Sequence, residues 1–284
     1  MKKKRHKSMF GTIKEPAINF SLPEISLKAQ EMIGKLSISG VQPKLSVKFD
    51  RKKGELITVA EGGEYILKPQ TSFPHIPENE QCCMDIAQAL GIDVPAHCLL
   101  RLTEGSFVYI VKRFDRLGKQ KIHQEDFSQI LGKKKYDGSV EQIGRKLKSI
   151  SAIPGLDAQL FFERVVFNFL IGNGDAHLKN YSISHGKENQ IRLTPAYDIV
   201  CSKLVIPDEE DSALAIHGKK TKLIKEDFDA LADYLQIPPK VRYENFLQKE
   251  ELMAEFIRSS KLEAQERDRF TAIIQERYRR LNFL

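Results

Sequence analysis

Gly172-Asn173-Gly174-Asp175-Ala176-His177-Leu178-Lys179-Asn180 is the stretch on which the reading turns. It follows Leu156 to Gly172, where Leu160, Phe161, Val165, Phe167, Phe169 and Ile171 leave almost no polar face. A helix that is apolar nearly all round belongs in a core. Downstream, Tyr181–Ser184 and Gln190–Leu193 read as short strands around a turn at Gly186. The stretch is therefore a loop held between a buried helix and a hairpin. Beyond the hairpin comes Thr194-Pro195-Ala196-Tyr197-Asp198-Ile199.

Asp175 and Asn180 are five residues apart, and Asp198 follows the hairpin. Phosphoryl transfer needs a carboxylate that orients the attacking hydroxyl and takes its proton. It also needs oxygen ligands for magnesium at the phosphates. These three side chains supply that set, and Asp-x-x-x-x-Asn is the spacing of the protein-kinase catalytic loop. A lone Asp in such a loop would more often be a solvated turn or cap.

Upstream, the period changes from helical to alternating. Leu45, Val47 and Phe49, then Leu56–Ala60, Tyr65–Pro69, Val94–Leu102 and Ser106–Phe114, read as strands. Pro77 to Gly91 carries helical spacing among them. The fold class expected is α+β and two-lobed: an irregular tail over residues 1–30, a β-rich lobe over 31–117 and a mainly helical lobe over 118–284. Any cleft would fall near residues 112–118. Ser37-Ile38-Ser39-Gly40-Val41-Gln42-Pro43-Lys44 forms a glycine turn between strands, suited to aiming backbone N–H groups at phosphate oxygens. It lacks the Walker pattern, and alone it would read as an ordinary hairpin. Lys68 ends the strand Tyr65-Ile66-Leu67-Lys68, where Glu80 of the following helix can pair with it. Lys112-Arg113-Phe114-Asp115 runs out of the last strand, with backbone for adenine and Asp115 for a ribose hydroxyl; a salt-bridge cluster is the plainer alternative.

The bulk numbers set bounds. The chain has 284 residues, 41% of them hydrophobic, enough for one large domain or two lobes. The formal charge of +7 is modest and does not by itself indicate nucleic-acid binding. No apolar run is long enough for a membrane span, and the basic start, Met1–Lys7, reads as a frayed tail. Cys82, Cys83, Cys98 and Cys201 have no metal or redox spacing and are expected as buried thiols of a cytoplasmic protein.

In this order the motifs resemble the HipA family of bacterial serine/threonine kinases over nearly the whole chain. Ser-Ile-Ser-Gly-Val-Gln-Pro-Lys resembles its Gly-rich loop, Ile-Leu-Lys-Pro its ATP-lysine strand and Val-Lys-Arg-Phe-Asp-Arg its hinge. His123-Gln-Glu-Asp126 matches a further family element. Gly-Asp-Ala-His-Leu-Lys-Asn and Pro-Ala-Tyr-Asp resemble its catalytic and metal-binding motifs. The resemblance implies ATP and Mg2+, with Asp175 as base and Asn180 and Asp198 on the metal. Ser39 to Lys44, Lys68, Lys112 to Asp115, His177, Lys179 and Tyr197 would line the nucleotide. Ser37 and Ser39 would be autophosphorylated, and phosphate there would repel the nucleotide.

Because the Gly-rich loop begins at Ser37, the N-terminal subdomain of longer HipA proteins is not expected. The short form resembles the HipT branch, toxins partnered by a small HipS-like protein and a DNA-binding HipB-like protein. That likeness implies phosphorylation of an aminoacyl-tRNA synthetase, tryptophanyl before glutamyl. A small-molecule phosphotransferase and an idle binding module remain as alternatives; the trio does not encode the acceptor.

Overall fold

The computed structural model describes residues 2–25, 27, 44–118, 120–186, 188 and 190–283. The chain forms two compact units, residues 1–81 with 95–120 and residues 82–94 with 121–284.

The first unit is built on a six-stranded sheet in the order β1-β3-β2-β4-β6-β5. Its strands are β1 (Ala17–Ile18), β2 (Leu45–Asp50), β3 (Glu55–Thr58), β4 (Tyr65–Lys68), β5 (His97–Arg101) and β6 (Phe107–Lys112). β1 joins β3 in parallel, and the other pairs are antiparallel. Leu45, Val47 and Phe49 of β2 are buried, as their alternation requires. β4 is paired on both sides, with Leu67 opposite both Leu45 and Ile110. That pairing places Lys68 opposite Tyr109 in the interior of the sheet.

The N-terminal reading is corrected. Residues Lys2–Phe10 form a helix, α1, and not a frayed tail. Met9 and Phe10 are buried. The Phe10 ring stands 5.4 Å from that of Phe49 and 5.1 Å from that of Tyr65, and the Tyr65 hydroxyl donates to the Met9 carbonyl at 2.6 Å. Ile18, Phe20 and Ile25 join the same core. Two apolar residues closing a basic run carry no periodic signal. The sheet face supplies the partner that makes them core.

Helix α2 (Ile76–Ala89) changes unit along its length. Glu80 belongs to the sheet unit, whereas residues 82–94 group with the helical unit. Cys82, Cys83, Met84, Ile86 and Ala87 of this helix are buried. All four cysteines are buried thiols, and burial pushes that of Cys82 up to about 12.

A two-stranded ribbon, β7 (Arg116–Leu117) and β8 (Gln120–Lys121), leads onward. The helical unit then runs through β9 (Gln124–Asp126), α3 (Phe127–Leu131), α4 (Val140–Ile150), α5 (Pro154–Leu170), β10 (Ser182–His185), β11 (Ile191–Leu193), α6 (Lys225–Tyr234), α7 (Glu250–Ser259) and α8 (Ala264–Arg280). Its three-stranded sheet has the order β11-β10-β9, so β9 adds an edge to the expected hairpin. Asp126 then caps α3: its carboxylate accepts from the Gln129 N–H at 2.9 Å, and the Gln129 side chain accepts from the Asp126 N–H at 3.0 Å.

α5 is the pillar of this unit. In its first turn the buried Asp157 accepts from the Ser151 hydroxyl at 2.6 Å, the Arg192 guanidinium at 2.9 Å and the Leu193 N–H at 3.0 Å, tying α5 to β11. Near its end, Arg277 and Arg280 of α8 lie 4.5 and 5.0 Å over the Phe169 ring. Both guanidinium groups also pair with Asp211 at 2.5 Å. Burial alone would raise the Asp211 carboxyl, but the Arg280 hydrogen bonds and the Arg277 charge outweigh it and bring it down to about 2. A carboxyl depressed on folding contributes stability above its unfolded value, lost as pH falls through the folded one. For Asp211 that window runs from about 4 to 2 and is worth roughly 2 kcal/mol. Asp211→Asn is therefore expected to be less stable than wild type at pH 5, with the gap narrowing toward pH 2. Urea midpoints across that range check it. Among the described residues no helix is long and apolar enough to cross a membrane.

Candidate active site

The loop after α5 is held residue by residue. Gly172 has φ +69°, and a Cβ there would stand 2.9 Å from the Ile273 side chain, so only glycine fits without strain. Asn173 is buried; its amide donates to the Asn168 side-chain oxygen at 3.0 Å, and Asn168 donates to the Tyr181 hydroxyl at 3.1 Å. The Gly174 N–H donates to the Ser202 hydroxyl at 2.8 Å and to Glu209 at 3.2 Å. A Cβ at Gly174 would lie 2.5 Å from the Glu210 carbonyl, so this close approach also requires glycine.

Asp175 emerges exposed from these locks, and one of its carboxylate oxygens accepts from the Tyr136 hydroxyl at 2.8 Å. The turn that follows closes on itself. The His177 N–H donates to Asn180 Oδ1 at 2.9 Å, and the Asn180 N–H returns to the His177 carbonyl at 2.9 Å. Leu178 anchors the turn by full burial, and its N–H donates to the Lys135 carbonyl at 3.0 Å. Lys179 sits half-buried in it. His177 packs edge-on against Tyr136 at 5.3 Å, and its Nδ1 is buried without a hydrogen-bond partner among the described residues. Burial lowers its pKa, against the pull of Asp175 and, more weakly, Asp198. His177 thus feels both carboxylates.

Asp198 has φ +54°, in the left-handed region where a residue other than glycine is uncommon. Such conformations persist where the surroundings impose them, and they concentrate at functional sites. Here the surroundings are explicit. The buried Arg164 guanidinium donates to the Thr194 carbonyl, the Thr194 N–H donates to the Ser182 carbonyl at 3.0 Å, and the Ala196 N–H donates to the Asp93 carbonyl at 2.8 Å. The Tyr197 hydroxyl donates to the Lys179 carbonyl at 2.8 Å and contacts the Ser182 hydroxyl. Through that hydroxyl Tyr197 joins the 194–198 segment to the loop. Burial pushes its pKa up and keeps it neutral. Asn173, Asn180, Tyr197, Asp198 and Arg164 line one small recess. Burial lowers the Arg164 pKa to about 10, still charged at neutral pH. Asn180 and Asp198 bring hard oxygen donors to that recess, the donor type that suits magnesium.

In the sheet unit, Lys68 is buried and pairs with Glu80 at 2.5 Å, with its ammonium 5.5 Å over the Tyr109 ring. This is the pair anticipated from sequence. Lys44 stands half-buried at the head of β2, Lys112 is exposed at the end of β6 and Phe114 is half-buried. Arg113 grips Asp115 through Nε at 2.9 Å and Nη2 at 2.7 Å, and Arg116 adds a bond at 2.5 Å. Burial would raise the Asp115 carboxyl, but the Arg113 hydrogen bond and the two arginine charges hold it below the usual range. Residues 112–116 therefore include a salt-bridge cluster. Ser37, Ser39, Gly40, Val41, Gln42 and Pro43 lie outside the described residues. Tyr136 was missed by sequence reasoning; nothing near it in the chain marks it, and only the packing of the 133–139 loop brings it to Asp175.

A sheet unit with a buried Lys–Glu pair and a helical unit with an Asp-x-x-x-x-Asn loop define a protein-kinase-like fold. The chain belongs to the HipA-like C-terminal domain family, which matches residues 36–274. It is 36% identical over 228 residues to a protein of Sinorhizobium fredii named "putative kinase", covering 73% of this chain and 55% of that one. It is 30% identical over 207 residues to the serine/threonine-protein kinase toxin HipA of Shewanella oneidensis, covering 64% of this chain and 47% of the relative. The chain thus spans about half the length of the curated relatives it matches. Among solved structures, HipA of Shewanella oneidensis, in complex with HipB and operator DNA, superposes with TM-score 0.72 at 24% identity over 87% of this chain and 65% of that one. The Helicobacter pylori kinase CtkA superposes with TM-score 0.59 at 17% identity, covering 87% and 91%. At these identities the structures speak to fold alone.

Proposed function

We propose that the chain is an ATP-dependent serine/threonine protein kinase that acts as the toxin of a toxin–antitoxin pair. The observation that carries this reading is the recess: Asn180 and Asp198 share it, and Asp175 leaves the same braced turn. Asp175 orients the acceptor hydroxyl and takes its proton. Asn180 and Asp198 hold Mg2+, which when bound neutralises charge on the phosphates. Lys68, kept in place by Glu80, supplies a cation for phosphate oxygens. Ser37 and Ser39 are the autophosphorylation positions, and phosphate there weakens ATP binding by repulsion. The HipT-like reading makes the acceptor a serine of an aminoacyl-tRNA synthetase, tryptophanyl first and glutamyl second, and makes the partners HipS-like and HipB-like proteins.

Two experiments test this. Mass spectrometry of synthetases after induction is expected to show one phosphoserine near an ATP site; label confined to small metabolites contradicts it. Tyr136→Phe is expected to lower turnover about three- to tenfold with the KM for ATP unchanged. The variant removes the donor that orients Asp175 and leaves the recess intact. Steady-state kinetics with ATP varied check it.

A further inference from the structure

His123-Gln124-Glu125-Asp126 leaves His123 and Glu125 with no part in the proposed chemistry. The pleat explains where they point. Residues two apart on a strand share a face, and directly opposite residues on paired strands share it too. The antiparallel β9–β10 register pairs Glu125 with Ile183 and Gln124 with Ser184, and the next step is closed by the His185 N–H donating to the His123 carbonyl at 2.9 Å. His123, Glu125 and His185 therefore stand on one face of an edge pair. Their ligand atoms converge: both imidazole Nε2 atoms approach the same Glu125 oxygen, His123 at 3.5 Å and His185 at 3.0 Å. All three ligand atoms lie within 4.8 Å of one another, and the two rings are 4.8 Å apart at 44°.

Ligand atoms at about 2.0–2.2 Å from one zinc ion stand roughly 3.2–3.6 Å apart in a tetrahedron. The two histidine–glutamate spacings, 3.5 and 3.0 Å, stand close to that figure, and the two histidine nitrogens lie within 4.8 Å of each other. Two imidazoles and one carboxylate suit zinc and disfavour magnesium, which prefers oxygen throughout. The geometry points to a zinc-binding site formed by His123, Glu125 and His185, with the fourth position open to solvent. It staples the edge strand β9 to the end of β10. The site is independent of the kinase reading, since none of its three ligands belongs to the recess lined by Asn180 and Asp198.

The test is titration of the untagged chain with Zn2+ against a chromophoric chelator, in excess Mg2+ so that oxygen sites stay filled. One zinc ion per chain is expected, with a dissociation constant in the micromolar range. Co2+ should give the visible absorption of four- or five-coordinate cobalt. His185→Asn and Glu125→Gln should each weaken zinc binding at least about tenfold. His123→Asn guards against misfolding, because the His123 side chain is 67% exposed and its loss leaves the core alone. Absence of zinc binding by wild type overturns the site. So does a His123→Asn chain that melts like wild type in chelator and binds zinc as tightly.

Discussion

Asp175→Asn is expected to fold normally and to lose phosphoryl-transfer turnover by on the order of 10²-fold or more. The amide keeps the size of the carboxylate and can still accept from Tyr136, so the loop has no reason to rearrange. It cannot take a proton from the attacking hydroxyl. Asp198→Asn is expected to lose at least as much for a different reason. Asn tolerates the left-handed backbone that Asp198 adopts, so the segment keeps its shape. The recess loses its anionic oxygen donor and with it affinity for the metal. The two variants should differ in magnesium dependence: Asp198→Asn should require more, and Asp175→Asn should not respond. Turnover measured against Mg2+, beside thermal melting, separates them. Full turnover in a folded Asp198→Asn chain would sink the metal assignment.

Lys68→Met carries the largest expected effect on stability. Lys68 and Glu80 side chains are only 4% and 2% exposed, so the carboxylate left behind would be buried without its cation. Breaking such a pair from one side costs about 3–5 kcal/mol, because the remaining charge stays buried without the opposite charge that faced it. Replacing both partners with apolar residues of similar volume removes that penalty. The Lys68→Met/Glu80→Leu chain should therefore recover most of the stability lost by either single change. It should not recover ATP binding if Lys68 is the proposed phosphate-holding cation, because that cation is gone from both. Urea unfolding of the four chains, paired with nucleotide titration, distinguishes a structural pair from a functional one. Recovery of both properties in the double variant would assign Lys68 to structure alone.

Much of this was readable in the chain itself, and for a local reason. Strand alternation, the apolar run that makes α5 a core helix, and the glycines at 172 and 174 are short-range signals. The Asp175–Asn180 spacing is likewise set within one turn, and Lys68 and Glu80 lie close enough along the chain for their pairing to be anticipated. Other features escaped because their cause is remote. Helix α1 gains its partners from Phe49 and Tyr65, and Tyr136 meets Asp175 across 39 positions. β9 exists only because Ser182–Ser184 offers it an edge. The part of α2 from Cys82 onward groups with residues from 121 on.

Residue order alone therefore determined the spacing of Asp175, Asn180 and Asp198 and the kinds of element on which they sit, since periodicity and spacing act over a few residues. Tertiary structure alone decided that Asn180 and Asp198 face one recess, that Tyr136 holds Asp175, that Tyr197 braces the loop, and that His123 lies opposite His185. Those pairings arise from packing and strand register between distant segments, which no local pattern encodes.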